Sequence, residues 1–263
     1  MVRSAAHDQK ETDVITTALL TLAMTQSQKP SPRTDKISMI AHDQLVQKAK
    51  SGRIDLYFLG DSITRRWGTS DAIWKQNYDN WIANFYGWNA GNFGWGADET
   101  KHMLWRIQNG ELDGVHPRVI VLQGGTNNIG AGQSADQVFK GLFAIIETCR
   151  AKAPMAKIVV TGVFYRNDNM AFVPVVSQVN TILQKYAESG AIHYLDVNDG
   201  LADSNGKLFP GMTIDNLHLS PKGYQVWADG LIPILTRLLG PKSDKDIAPP
   251  PTGDPSQKPA KSS

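Results

Sequence analysis

Short apolar runs alternate along this chain with longer stretches of mixed polarity. Five runs read as strands: IDLYFLG (54–60), NAGNFG (89–94), RVIVLQGG (118–125), KIVVTGVF (157–164) and IHYLDV (192–197). Three of these are nearly continuous in apolar residues, the pattern of parallel strands buried on both faces. Helices are predicted over 41–51, 72–82, 98–108, 134–152, 172–188 and 221–239. The last has the clearest start, with Ser220 as N-cap and Pro221 at the first helical position. Alternation of this kind implies right-handed βαβ crossovers and a doubly wound parallel sheet. A site in such a sheet lies beyond the carboxyl ends of its strands.

The polar, proline-bearing stretch TQSQKPSPRTDK (25–36) reads as a linker. The expected organisation is therefore an N-terminal extension and linker (1–36), one folded domain (37–241) and a disordered proline-rich tail (242–263). The tail has too little apolar surface to offset the entropy of ordering it. Of 263 residues, 41% are hydrophobic and 20% charged, an ordinary globular balance for one α/β domain. The net charge is only +2, and no dense Lys/Arg run occurs, so neither nucleic acid nor an anionic membrane is expected as a partner. Cys149 stands alone, which rules out an internal disulfide or a cysteine metal cluster. Its setting, FAIIETCRAKAP, is that of a buried structural thiol. No apolar run is long enough to span a bilayer. The stretch VITTALLTLAM (14–24) resembles the apolar part of a signal peptide, but Asp8, Glu11 and Asp13 precede it and no small-x-small site follows. Localisation stays open between cytoplasmic and secreted.

The chemistry concentrates in turn-like segments. Ser62 follows Gly60 and Asp61 at the end of LYFLG, where a serine projects from the sheet edge near a helix N-terminus. Taken alone it would be an ordinary N-cap. Asp215 and His218 stand three apart in TIDNLHLS, a spacing that lets the carboxylate reach Nδ1 and leaves Nε2 for a serine. A lone histidine there would be a cap or core residue, and a metal role lacks a third ligand. Asn127 follows Gly124 and Gly125, and its amide can donate to an oxyanion, although turn asparagines are common. Serine, base, base-orienter and amide donor make up the set needed for acyl transfer. The glycine-rich NAGNFGWGAD (89–98) fits neither phosphate-binding loop pattern. Trp67, Trp74, Trp81, Trp88 and Trp95 repeat every seven residues, but Gly87, Gly91, Gly94 and Gly96 forbid one long helix, so the spacing is coincidental. Trp67 and Trp95 directly follow the serine and glycine blocks and are candidates for the substrate pocket, together with Asp61, Asn128 and Met212.

The blocks GDSIT, NFGWGAD, GGTNN and DNLH, in this order over about 54 to 224, resemble the SGNH (GDSL-type) hydrolase family. The stretch HMLWRIQNGELDGVHPRVIVLQGGTNNIG is similar to one branch, the catalytic subunits of intracellular platelet-activating-factor acetylhydrolase and their bacterial esterase relatives. The resemblance implies a flavodoxin-like three-layer sandwich, a five-stranded parallel sheet with helices on both faces. It implies Ser62 as nucleophile, His218 as general base then acid, and Asp215 as its partner. The oxyanion hole would use the Ser62 and Ala97 N–H groups and the Asn127 side chain, with Gly96 just before. Ala97 stands where the family usually has glycine, which narrows the pocket and demands an accessible φ. No metal or organic cofactor is implied. The expected partner is a small-molecule or carbohydrate ester, and the branch's dimers suggest a homodimer. Expected activities are short-chain acyl ester hydrolysis, acetyl above all, or deacetylation of sugars. A non-catalytic binding module is the third reading, opposed by the complete set Ser62, Asp215, His218 and Asn127.

Overall fold

The computed structural model describes residues 29–257. The apolar stretch at 14–24 lies outside them. The chain opens with α1 (Lys36–Ala49), N-capped by Asp35, whose carboxylate accepts from Ser38 N at 2.9 Å. There follow β1 (Leu56–Gly60), α2 (Ser62–Trp67), a 3₁₀ turn at Ala72–Trp74 and α3 (Lys75–Phe85). Next come β2 (Ala90–Gly94), α4 (Thr100–Arg106), which runs on into a wider turn at Ile107–Glu111, and β3 (Val119–Gln123). The second half consists of α5 (Thr126–Gly130), α6 (Ala135–Lys152), β4 (Lys157–Thr161), α7 (Val173–Ala187), β5 (His193–Leu195), α8 (Asn198–Leu201) and α9 (Pro221–Leu239).

The five strands form one parallel sheet in the order β2-β1-β3-β4-β5. Alternate side chains of each strand enter opposite layers. Tyr57, Leu59, Ile120, Leu122, Ile158 and Val160 pack with α1, α4, α6 and α7. Leu56, Phe58, Val119, Val121 and Val159 pack with α2, α3 and α9. Both faces are therefore dry, which is why the strands read as continuous apolar runs. Cys149 is buried in the first layer, and burial pushes its thiol up to about 12, the behaviour of a structural residue. No helix among the described residues is long and apolar enough to cross a membrane.

Two expectations change. Trp67 and Trp95, candidates for the substrate pocket, are buried, as are Trp81 and Trp88. Trp67 stacks on Tyr224 at 5.0 Å and meets Trp227 at 4.7 Å. Residues 242–257 also depart from expectation, because they lie along the domain as a strap. Asp246 accepts from Gly87 N and Asn89 N, Thr252 O accepts from Ser70 N and Thr69 Oγ1, and Asp254 N donates to Asp71. Composition suggested disorder because the segment buries few apolar side chains. Its backbone and carboxylates instead find specific partners, and Pro249, Pro250 and Pro251 leave less entropy to lose. The strap, α3 and β2 together enclose a cavity of about 190 Å³ bordered by Lys48, Trp81 and Pro249. The end of the linker is tied down too, with Ser31 N on Lys101 O at 3.2 Å.

Candidate active site

Ser62 owes its place to the turn from β1 into α2. The Asp61 carboxylate accepts from Ile63 N at 2.9 Å and starts the helix immediately after the strand. Gly60 is needed for this close approach, since a Cβ there would lie 2.0 Å from Thr64 Oγ1. Ser62 is left half-buried at the sheet's carboxyl edge. His218 reaches it from the loop before α9. In that loop Asp215 Oδ1 accepts from Leu217 N at 3.1 Å and His218 N at 2.7 Å, and Asn216 takes a φ of +64°. This tight turn sets Asp215 Oδ2 2.7 Å from His218 Nδ1. His218 Nε2 then stands 3.0 Å from Ser62 Oγ.

The charges suit a general base. Burial, and then the nearby Arg66 guanidinium, hold the His218 pKa below the usual histidine value against the pull of Asp215. For Asp215, burial raises the carboxyl, but the N–H groups and imidazole of His218 outweigh it and the net shift is downward. At neutral pH an ionised Asp215 faces Nδ1–H, and the Nε2 lone pair faces the serine hydroxyl.

Across the serine lies the loop after β2. Asn127, in the first turn of α5, donates one of its two amide protons to Asp98 O at 2.9 Å, which orients the amide. Gly125, at φ +108°, caps that helix in a conformation few other residues tolerate. Ala97 is exposed and sits at φ +59°. That conformation explains a glycine preference there, since a Cβ in it costs roughly 1–2 kcal/mol. The loop is held from both ends: Arg33 donates to Gly96 O at 3.1 Å, and Arg106 Nε donates to Asp98 at 2.7 Å. Burial pushes the Asp98 carboxyl up to about 6 against the opposing Arg106 charge. Among the described residues no group of three or more His, Cys, Asp or Glu comes together as a metal cluster.

Ser62, His218 and Asp215 thus meet directly, and Asn127 is joined to the loop after β2 through Asp98 O, at the carboxyl ends of the neighbouring strands. The five residues expected to touch substrate are all buried. Asp61, fully enclosed beneath Ser62, has its carboxyl raised to about 7 by burial. Trp67 belongs to the aromatic layer. Trp95 donates to Ser38 Oγ at 2.9 Å and carries Arg65 over its ring. Asn128 bridges Thr100 and Gln133, and Met212 packs in the second core layer. Buried polar side chains need partners: Trp95, Asn128 and the Asp61 oxygen that caps Ile63 N find theirs inside, while the second Asp61 oxygen is buried without one among the described residues, and all of these lie beneath the site. Residues not singled out from the sequence lie around the relay. Arg66 lies 3.5 Å from Asp215, and Arg166 bonds Thr126 O at 3.0 Å. Asn167 ties 206–208 to its own loop, donating to Gly206 O at 2.9 Å. The position of Arg66, four residues after Ser62 in a helical register, was the available signal.

The model of the GDSL-like lipase/acylhydrolase family matches residues 58–226. The chain belongs to that family. It is an ester hydrolase with an α/β fold. The bovine (Bos taurus) platelet-activating factor acetylhydrolase IB subunit alpha1 is 32% identical over 233 residues, 86% of this chain and 96% of the relative. Among solved structures, a putative acylhydrolase from Bacteroides fragilis aligns with a TM-score of 0.63 at 21% identity, covering 79% of this chain and 100% of its own. An acetyl-xylooligosaccharide esterase from Geobacillus aligns with a TM-score of 0.54 at 16% identity, covering 73% and 97%. These two likenesses concern the fold.

Proposed function

We propose that this family member is a serine carboxylesterase that removes short acyl groups, acetyl above all, through an acyl-enzyme. The observation that carries the reading is the relay Ser62 Oγ–His218 Nε2–Asp215, with links of 3.0 and 2.7 Å. Ser62 attacks the ester carbonyl as His218 takes its proton. The oxyanion is met by the Asn127 amide and by backbone N–H groups at Ser62 and Ala97. His218 then protonates the leaving alcohol, and the acyl-enzyme forms. Water, deprotonated by His218, attacks the acyl carbon, and expulsion of Ser62 Oγ releases the acid. Preference for acetyl is supported by the acetylhydrolase name of the bovine relative. Hydrolysis of p-nitrophenyl esters from two to twelve acyl carbons tests it. Rates are expected to peak at two to four carbons, and a peak at eight or more would remove the short-acyl reading.

Deacetylation of carbohydrate is the second reading. It draws on the printed name of the Geobacillus neighbour and on exposed Met170 and Phe209, carried by the loops that Asn167 ties together. An acetylated xylo-oligosaccharide assayed beside acetyl p-nitrophenol separates the two readings through kcat/KM. For either substrate, Asn127→Ala is expected to lower kcat by about 10²–10³ with KM little changed, because the donor acts on charge that develops only in the transition state. A KM effect alone would place Asn127 in ground-state binding instead.

A further inference from the structure

Asp215 is unusual among the buried and half-buried parts of this site, because its side chain is 45% exposed. A carboxylate so open to water needs more than one anchor to keep a single orientation. Two come from its own loop, the N–H groups of Leu217 and His218 on Oδ1. Oδ2, the oxygen facing the imidazole, has a further neighbour from outside the loop: Arg66 Nη1 at 3.5 Å. Arg66 stands four residues after Ser62 on α2, so one helical face presents both the nucleophile and this cation. The guanidinium is itself confined, lying 4.5 Å over the Trp74 ring. Helix α2 thus reaches the relay at both ends, through Ser62 at Nε2 and through Arg66 at the carboxylate behind Nδ1.

We infer that Arg66 is a positioning residue for the hydrolysis, holding Asp215 against His218 and setting by its charge how far into acid solution the imidazole stays unprotonated. The inference rests on the serine reading proposed above. The other groups around His218 do not duplicate this role. Asp215 acts in the opposite sense, favouring imidazolium. Arg166, on the loop after β4, is a second cation but is paired with Asp168 and Thr126. Asp61 is enclosed beneath α2 and capped on Ile63 N. Tyr224 on α9 commits its hydroxyl to Ile63 O at 2.7 Å. Arg66 is the cation whose neighbour is the triad carboxylate itself. Burial and Arg66 both lower the histidine pKa, so removing the charge moves protonation toward higher pH.

The test is the pH profile of kcat/KM on a short acyl ester for the parent, Arg66→Gln, Arg66→Lys and Ser62→Ala. Arg66→Gln is expected to move the acid limb upward by about half a pH unit or more and to lower plateau kcat several-fold. It is expected to unfold within about 3 °C of the parent, since the residue is part-exposed. Arg66→Lys restores the limb. An acid limb unmoved in Arg66→Gln overturns the inference, as does a lysine variant that behaves like glutamine. Failure of the underlying reading shows separately, as undiminished turnover in Ser62→Ala, whereas an unmoved limb in an enzyme that still depends on Ser62 sinks the Arg66 inference alone.

Discussion

Ser62→Ala is expected to leave a folded protein whose ester turnover has fallen by about 10³ or more. The hydroxyl is half-buried, and its side-chain partner among the described residues is His218, at 3.0 Å. Alanine at the first position of α2 keeps the helix, and Asp61 still caps it through Ile63 N. Stability should therefore change by no more than about 0.5 kcal/mol. The whole loss is expected on kcat, because in the proposed mechanism the missing atom is the one that bonds to the acyl carbon. Parallel measurement of kcat and of the thermal midpoint checks both halves. Turnover within tenfold of the parent would mean that another group attacks the ester, and the relay geometry would then have no catalytic meaning.

Arg106→Met is expected to destabilise the fold by about 3–5 kcal/mol, the range for breaking a buried ion network by removing one member. Arg106 is enclosed between two acids, bonding Asp98 at 2.7 Å and pairing with Glu111. It also donates to Gly60 O at 3.3 Å and Phe93 O at 3.1 Å, which ties the ends of β1 and β2 together. His42 Nδ1 holds the other side of Glu111 at 2.8 Å. Methionine fills much of the volume but leaves the carboxylates without the cation. Protonation relieves that situation. The Asp98 carboxyl is already raised to about 6 by burial with the guanidinium in place, and losing the cation raises it further. A carboxyl raised in the folded state destabilises when ionised, so the deficit of the variant should shrink as pH falls from 7 toward 5. Denaturant midpoints at the two pH values give the measurement. A deficit under 1 kcal/mol at pH 7, or one that grows in acid, would show that the network does not carry the strand ends. Because Asp98 O also holds the Asn127 amide, activity should fall before stability does.

Much of this was readable in one dimension. Strands buried on both faces need apolar residues at every position, so β1, β3 and β4 announced themselves without reference to neighbours. Helix α9 was predicted to its ends, because Ser220 and Pro221 act locally. The relay was legible for the same reason: Asp215 and His218 meet through a three-residue turn, and Ser62 sits at a strand end. The short helices α2, α5 and α8 were not visible, having too few residues to show a period.

What the chain determined by itself is therefore local: apolar runs, caps, the glycine turns and the Asp215–His218 spacing beside a serine at a strand end. Tertiary structure decided everything that depends on which distant surfaces meet. It took Trp67 into the aromatic layer with Tyr224 and Trp227, residues more than 150 positions away, and left none of its ring for a pocket. It closed Asp61 and Asn128 inside and set Arg66 beside Asp215. It laid 242–257 against 69–71 and 87–89, where composition alone argued for disorder. Burial and charge pairing are properties of places in space, created by the packing of the sheet's two layers, and no window of sequence contains them.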